Sequence, residues 1–214
     1  VSWVVVVPVK GNPGAKTRLE ALPERAALAD AFALDTVAAL VAASTVERVV
    51  VVTADAALGV RLAALGAVIV PETRAAGDPL NAAIVQGADA ARRLAPTAHL
   101  AIVTGDLPAL RSDDVDHALR LAARHECSMM PDAEGTGTTM LLARVGVSLT
   151  PRFGLGSRAA HEAAGHVPLE VAATASIRRD VDTPADLEVA RTLGLGPHTA
   201  ALLAADALPA GQPR

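Results

Sequence analysis

The sequence predicts an α/β domain whose mostly parallel, mixed sheet is covered by helices on both faces. Three observations carry that prediction. Short β-branched runs alternate with longer Ala- and Leu-rich stretches of helical character. The runs are continuously apolar, as in VVVV at 4–7 and RVVVVT at 48–53, which suits strands buried on both faces. The 214 residues show no fixed-period repeat and no linker long enough to divide them, so one domain is expected.

The elements follow in order. Residues 3–9 read as the first strand, and residues 10–18 as a cationic loop, KGNPGAKTR. A crossover helix spans 22–43, a second strand 48–53, a short helix 54–65 and a third strand 67–70. The loop 71–78, PETRAAGD, carries turn chemistry and leads into a helix from about 80 to 94. The fourth strand, 99–104, ends in Gly105-Asp106-Leu107-Pro108. A helix follows with Ser112 or Asp113 as its N-cap and His125 near its end. Residues 127–130 and 139–143 form a strand pair joined through PDAEGTGT. The glycine loop FGLGS, 153–157, opens a helix at 158–164, and 167–171 and 176–181 add further strands. Thr183 caps a closing helix with Pro184 at its first position. Beyond Gly196 the chain is rich in Ala and Pro and is expected to fray after a short helix.

Composition narrows the function. Apolar residues make up 51% of the chain, which excludes general disorder, whereas aromatics are 1% with no Tyr, so stacking on rings is not the binding strategy. A net charge of −4 argues against coating nucleic acid, though not against a local cationic pocket for a small phosphorylated ligand. The lone Cys127 permits no internal disulfide and fits a small buried strand residue in a reducing compartment. No apolar run approaches the ~20 residues that span a bilayer, and the first run lacks the basic lead and cleavage site of a signal peptide. A cytoplasmic protein with no membrane partner is expected.

Strand, basic glycine loop, then helix is how α/β proteins hold phosphates, through backbone N–H groups and full positive charge. The loop is not a P-loop, because Ala15 rather than Gly precedes Lys16, and Gly11 and Gly14 miss the dinucleotide spacing. By itself it fits either a phosphate site or a solvated turn. In a parallel sheet, ligands bind outside the carboxyl ends of the strands. The basic loop, Asp106, the loop 135–138 and the Asp180-Val181-Asp182 stretch all fall at such ends. Asp106 alone could cap a turn, and Asp182 alone could help start the last helix. Together, with Lys16 and Arg18 near them, they point to a metal-bridged phosphate ligand, since magnesium takes one or two carboxylates and completes its shell with water and phosphate oxygens. Gly154, Gly156 and Ser157 are either a helix entry or a set of N–H and hydroxyl donors for a carboxylate or phosphate. The six histidines lack metal-ligand spacing; only His161 falls near the proposed site.

Six blocks, in order, carry a family resemblance: PVK…AKTRL at 8–19, DPLNAAI at 78–84, GDLPAL at 105–110, GTGT at 135–138, RFGLGS at 152–157 and RDVDTPADL at 179–187. With them the chain resembles the CofC/FbiD guanylyltransferases of coenzyme F(420) biosynthesis. The resemblance implies a Rossmann-like GT-A-type nucleotidyltransferase fold over residues 1–196, leaving 197–214 as a C-terminal tail. It implies transfer of GMP from GTP to a three-carbon phospho-acid, release of pyrophosphate, and hand-off to the downstream deazaflavin transferase. Lys10, Lys16 and Arg18 are then expected on the GTP phosphates and Asn81 near the ribose or base. Asp106 and Asp182, with Asp180, are expected to hold Mg2+, and Thr138, Gly154 and Ser157 the acid. Lys16, Arg18 and Asp106 are the expected catalytic residues. The blocks look most like the branch that uses phosphoenolpyruvate, with 2-phospho-L-lactate as the alternative acid. A molybdenum-cofactor guanylyltransferase is a more distant alternative, because its Gly-rich first loop differs from Pro8-Val9-Lys10.

Overall fold

A computed structural model describes residues 2–9, 25–73 and 77–206. The first valine run forms β1 (Trp3–Pro8), buried along its whole length. Its side chains alternate between two cores: Trp3, Val5, Val7 and Val9 join one, Val4 and Val6 the other. That two-sided burial is why the run is continuously apolar. α1 (Arg25–Ala42) leads to β2 (Val46–Thr53), α2 (Ala56–Ala64) to β3 (Val68–Pro71), and α3 (Pro79–Leu94) to β4 (His99–Val103). α4 (Ser112–Ala122) precedes the pair β5 (Cys127–Pro131) and β6 (Thr138–Ala143). α5 (Ser157–Ala163), β7 (Val167–Pro168), α6 (Pro184–Leu193) and α7 (Pro197–Asp206) complete the order.

Among the described residues, seven strands form one sheet in the order β3-β2-β1-β4-β6-β5-β7. β1 is parallel to β2 and β4, and β2 to β3, whereas β6 runs antiparallel to both β4 and β5. The sheet is thus mixed, mostly parallel, and both faces are covered. α1 and α4 supply Leu34, Val37, Val115 and Leu119 to one core, and α3 supplies Ile84 and Ala91 to the other. No helix among the described residues is long and apolar enough to cross a membrane.

Most expected elements form within a residue or two of their predicted bounds, and three depart from expectation. Residues 176–181 are not a strand: Ser176–Arg178 is a single 3-10 turn. The stretch is held by side chains instead of ladder bonds. Arg178 donates to the carbonyls of Pro131, Asp132 and Val171, and Thr139 Oγ1 donates to Ile177 O at 2.7 Å. The buried Ile177 and Val181, which suggested a strand, belong to irregular backbone facing the core. The strand expected at 167–171 shortens to Val167–Pro168, after which Arg178 takes the Val171 carbonyl. α4 starts at Ser112, with Arg111 at the cap position and no side-chain cap bond. Asp114, in its first turn, is committed to the backbone N–H and hydroxyl of Ser176.

Two buried carboxylates tie distant segments together. Asp35 of α1 accepts the backbone N–H groups of His198 and Thr199 at 2.9 and 2.8 Å, fastening the first turn of α7 to α1. Asp116 of α4 accepts both the backbone N–H and the hydroxyl of Ser44 and of Thr45, at 2.6 to 3.1 Å. Burial alone would raise the Asp116 pKa, but these four donors outweigh it and hold the carboxyl at about 2. A depressed carboxyl stabilises the fold fully above its ordinary value of 3.8, and that stabilisation is lost as the pH falls through about 2. Asp116→Ala should therefore lower the urea-unfolding free energy by about 2 kcal/mol at neutral pH, after discounting for solvent screening at the rim. Measured against pH, the gap between variant and wild type should close on acidification towards pH about 2.

Candidate functional site

The carboxyl ends of β1 and β4 lie side by side. Val9 N–H bonds to Val52 O at 2.8 Å, and Gly105 packs so close that a Cβ there would stand 3.3 Å from Val9 Cγ2 and 3.5 Å from Pro8 O. Asp106 follows directly, next to the point where the chain leaves β1 for the cationic loop. Lys10, Lys16 and Arg18 of that loop lie outside the described residues.

The carbonyl of Asp106 accepts the backbone N–H of Val181 at 3.0 Å, which brings Asp180 and Asp182 to the end of β4 from more than 70 residues away in the chain. Burial first, then the charges of Asp106, Asp182 and Asp132, push the Asp180 carboxyl up to about 8. Carboxylates crowded until one keeps its proton are a place where a cation is stabilising. The hydroxyl of Thr104, buried in the cleft wall, has no hydrogen-bond partner among the described residues. Also among the described residues, no three His, Cys, Asp or Glu side chains form a ready-made metal cage. The donor set therefore fits an ion that takes one or two carboxylates and fills its shell from ligand and water, as magnesium does.

A cleft of about 520 Å³ opens here, lined by Thr104, Thr138, Gly154, Ser157, Asp180 and Asp182 among others. It unites the residues expected on the acid with two of those expected on the metal; Asp106 is not among its lining, though its charge acts on Asp180. A roomier hollow of about 620 Å³, bordered by Ser2, Ser44 and His99, lies at the amino ends of β1, β2 and β4. The carboxyl-end cleft has the carboxylates and the loops, and is where a parallel sheet places a ligand.

The loops of the cleft are braced against each other. Gly156, at φ 69, takes a left-handed conformation that turns the chain into α5 and buries Ser157. Arg158 N–H donates to Thr136 O, and its guanidinium to Gly135 O. Asp132, which the sequence reading passed over, accepts the N–H groups of Thr136 and Gly137 at 2.8 and 2.7 Å and so shapes the loop 135–138. Its sequence signal is an Asp followed within five residues by two glycines, an Asx-type turn.

Asn81, expected near the ribose or base, is engaged by neighbouring protein groups among the described residues. Its amide oxygen accepts Phe153 N–H and its amide nitrogen donates to Phe153 O, both at 3.0 Å, while a further amide hydrogen goes to Asp78. Asn81 thereby clamps the 152–157 loop to the start of α3. His161 is wholly buried beneath the same loop, between Thr138 and the Arg152 backbone. Cys127 is half-buried on β5, and burial followed by the Glu126 charge raises its pKa, so it stays a thiol.

Comparison with known proteins accords with this geometry. The family model for CofC-like guanylyl transferases matches residues 3–204. The phosphoenolpyruvate guanylyltransferase of Thermomonospora curvata is 47% identical over 206 residues, covering 95% of this chain and 90% of that protein. The protein of the same name from Streptomyces coelicolor is 46% identical over 215 residues, covering 99% and 100%. Among solved structures, a nucleotide-diphospho-sugar transferase from Desulfovibrio desulfuricans G20, described as putative, superposes with a TM-score of 0.67 at 18% identity, covering 97% of this chain and 96% of its own. Rv0371c from Mycobacterium tuberculosis, solved as a manganese complex, has a TM-score of 0.52 at 17% identity, covering 88% and 97%. These structures share the fold. With a family model spanning nearly the whole chain and relatives close to half identical over the same span, the chain belongs to the CofC-like guanylyl transferase family.

Proposed function

We propose that this protein transfers GMP from GTP to phosphoenolpyruvate, giving enolpyruvyl-diphospho-guanosine and pyrophosphate, in coenzyme F(420) biosynthesis. The observation that carries this is the carboxyl-end cleft, where Thr138, Gly154 and Ser157 face Asp180 and Asp182, in a chain 46 to 47% identical to proteins named for that reaction.

The nucleophile is a phosphate oxygen of the acid substrate, so the protein need supply none. That oxygen bonds to the α-phosphorus of GTP in line with the departing group, the bond to the bridging oxygen breaks, and pyrophosphate leaves. The protein's task is to hold two anions together in attack geometry and to neutralise charge as it moves. Ser157 and Thr138 present hydroxyls, and Gly154 an exposed backbone without a side chain, to the carboxylate and phosphate of the acid. Asn81 keeps that wall in place through Phe153. Lys10, Lys16 and Arg18 bind the triphosphate, and Lys16 and Arg18 stabilise charge in the transition state. Asp106 and Asp182, assisted by Asp180, would hold Mg2+, which would supply Lewis-acid stabilisation of phosphate charge. The labile product passes to the downstream deazaflavin transferase.

Pyrophosphate release with GTP and magnesium, with that transferase and its deazaflavin acceptor as a trap, tests the reading. Release with phosphoenolpyruvate and not with 2-phospho-L-lactate is expected; the reverse selects the other acid, and silence with both removes the activity. Asp106→Asn should lower kcat by about a hundredfold while circular dichroism and Tm stay near wild type, and near-normal turnover takes Asp106 out of the metal site. Ser157→Ala should raise KM for the acid about tenfold and that for GTP little; the opposite pattern moves Ser157 to the nucleotide side.

A further inference from the structure

The wall that carries Gly154 and Ser157 is fastened to the cleft floor by a side chain that is itself sealed from the cleft. His161 lies in α5, fully buried, and both of its ring nitrogens are engaged. Nδ1 is 3.0 Å from Thr138 Oγ1, and Nε2 is 3.0 Å from the backbone N of Arg152. The two contacts are not equivalent. A backbone N–H can only donate, so Nε2 must offer its lone pair.

Burial first, then the charges of His166 and Arg152, lower the His161 pKa to about 4, so the ring is neutral at physiological pH. A neutral imidazole has one ring proton, and with Nε2 accepting, that proton sits on Nδ1. Nδ1–H therefore donates to Thr138 Oγ1. The hydroxyl accepts there, and its own hydrogen is left for another acceptor. Thr138 lines the cleft, and its side chain has no other hydrogen bond among the described residues. Edge-on contacts with the Phe153 ring at 5.2 Å and the His166 ring at 5.6 Å hold the imidazole plane.

We propose that His161 is a positioning residue for the acid substrate: it fixes the Thr138 hydroxyl as a donor aimed at an anionic oxygen and holds Arg152, at the root of the Gly154 loop, in register. This rests on the reading of the cleft as the acid site. The chemistry favoured is a carboxylate or phosphate oxygen, because a donating hydroxyl makes its stronger hydrogen bond to an anionic acceptor. The signal in the sequence is the histidine four residues after Ser157, on the same side of the helix turn.

The test has a spectroscopic and a kinetic arm. Long-range proton–nitrogen NMR correlations of the wild-type protein, with the His161 ring assigned through its contact with Phe153, are expected to show the Nδ1–H tautomer. An Nε2–H ring overturns the proposal, whatever any variant does. His161→Leu should raise KM for phosphoenolpyruvate about tenfold while KM for GTP stays within about twofold. In a Thr138→Val background the same change should add little, because both substitutions remove one shared hydrogen bond. His161→Gln, which keeps a donor and an acceptor, should recover part of the loss. Equal losses for both substrates, or additive effects of the two substitutions, overturn the proposal. Wild-type turnover separates the two readings: a wild type silent with every phospho-acid overturns the functional reading and this inference with it, whereas an active wild type with additive variants overturns the inference alone.

Discussion

Three carboxylates, Asp106, Asp180 and Asp182, are held together at the carboxyl edge of the sheet against their own repulsion, and the rest of the site is arranged around that fact. The bond from Val181 N–H to the Asp106 carbonyl sets the proximity, because it joins the two segments through backbone. Burial and like charge then keep a proton on Asp180 near neutrality. Like charge gathered at this edge of the cleft is electrostatically suited to a cation, which would lower the mutual repulsion of the carboxylates.

The wall opposite is rigid for a complementary reason. Loops with this many glycines have no regular ladder to hold them, and here each is tied down by a hydrogen-bonding side chain. Asn81 grips Phe153 from α3, Asp132 gathers two N–H groups of the 135–138 loop, and the guanidinium of Arg158 joins that loop to α5. A ligand entering this cleft would meet loops that are already braced, which lowers the ordering cost of binding.

The fold was largely legible in the sequence because its strands are buried on both faces and therefore written as unbroken apolar runs. β1, β2 and β4 needed no other evidence, and Thr183-Pro184 announced α6 by capping chemistry, completed by Asp186 as a capping box. Residues 176–181 were misread because Ile177 and Val181 are buried without being in a strand. The contacts that satisfy their backbone come from Asp114, 62 positions from Ser176, Thr139, 38 from Ile177, and the Asp106 carbonyl, which no local pattern encodes. The grouping of Thr138 with the aspartates was readable from strand ends, whereas Gly154 and Ser157 joined it only through the family resemblance. The work of Asn81 was not, since its partner Phe153 is 72 residues distant. Lys10, Lys16 and Arg18 fall outside the described residues.

The buried carboxylate of Asp35 gives the chain a temporal order. Its acceptors stand in α1, near the start of the sequence, and the donors that satisfy them belong to His198 and Thr199, 163 and 164 residues later. As the polypeptide emerges from the ribosome, α1 can lay its apolar face on β1 and β2 early, yet it carries a charge with no partner until α7 is made. α7 thereby satisfies a charge that α1 buries, and the two helices are fastened to each other only once both are present.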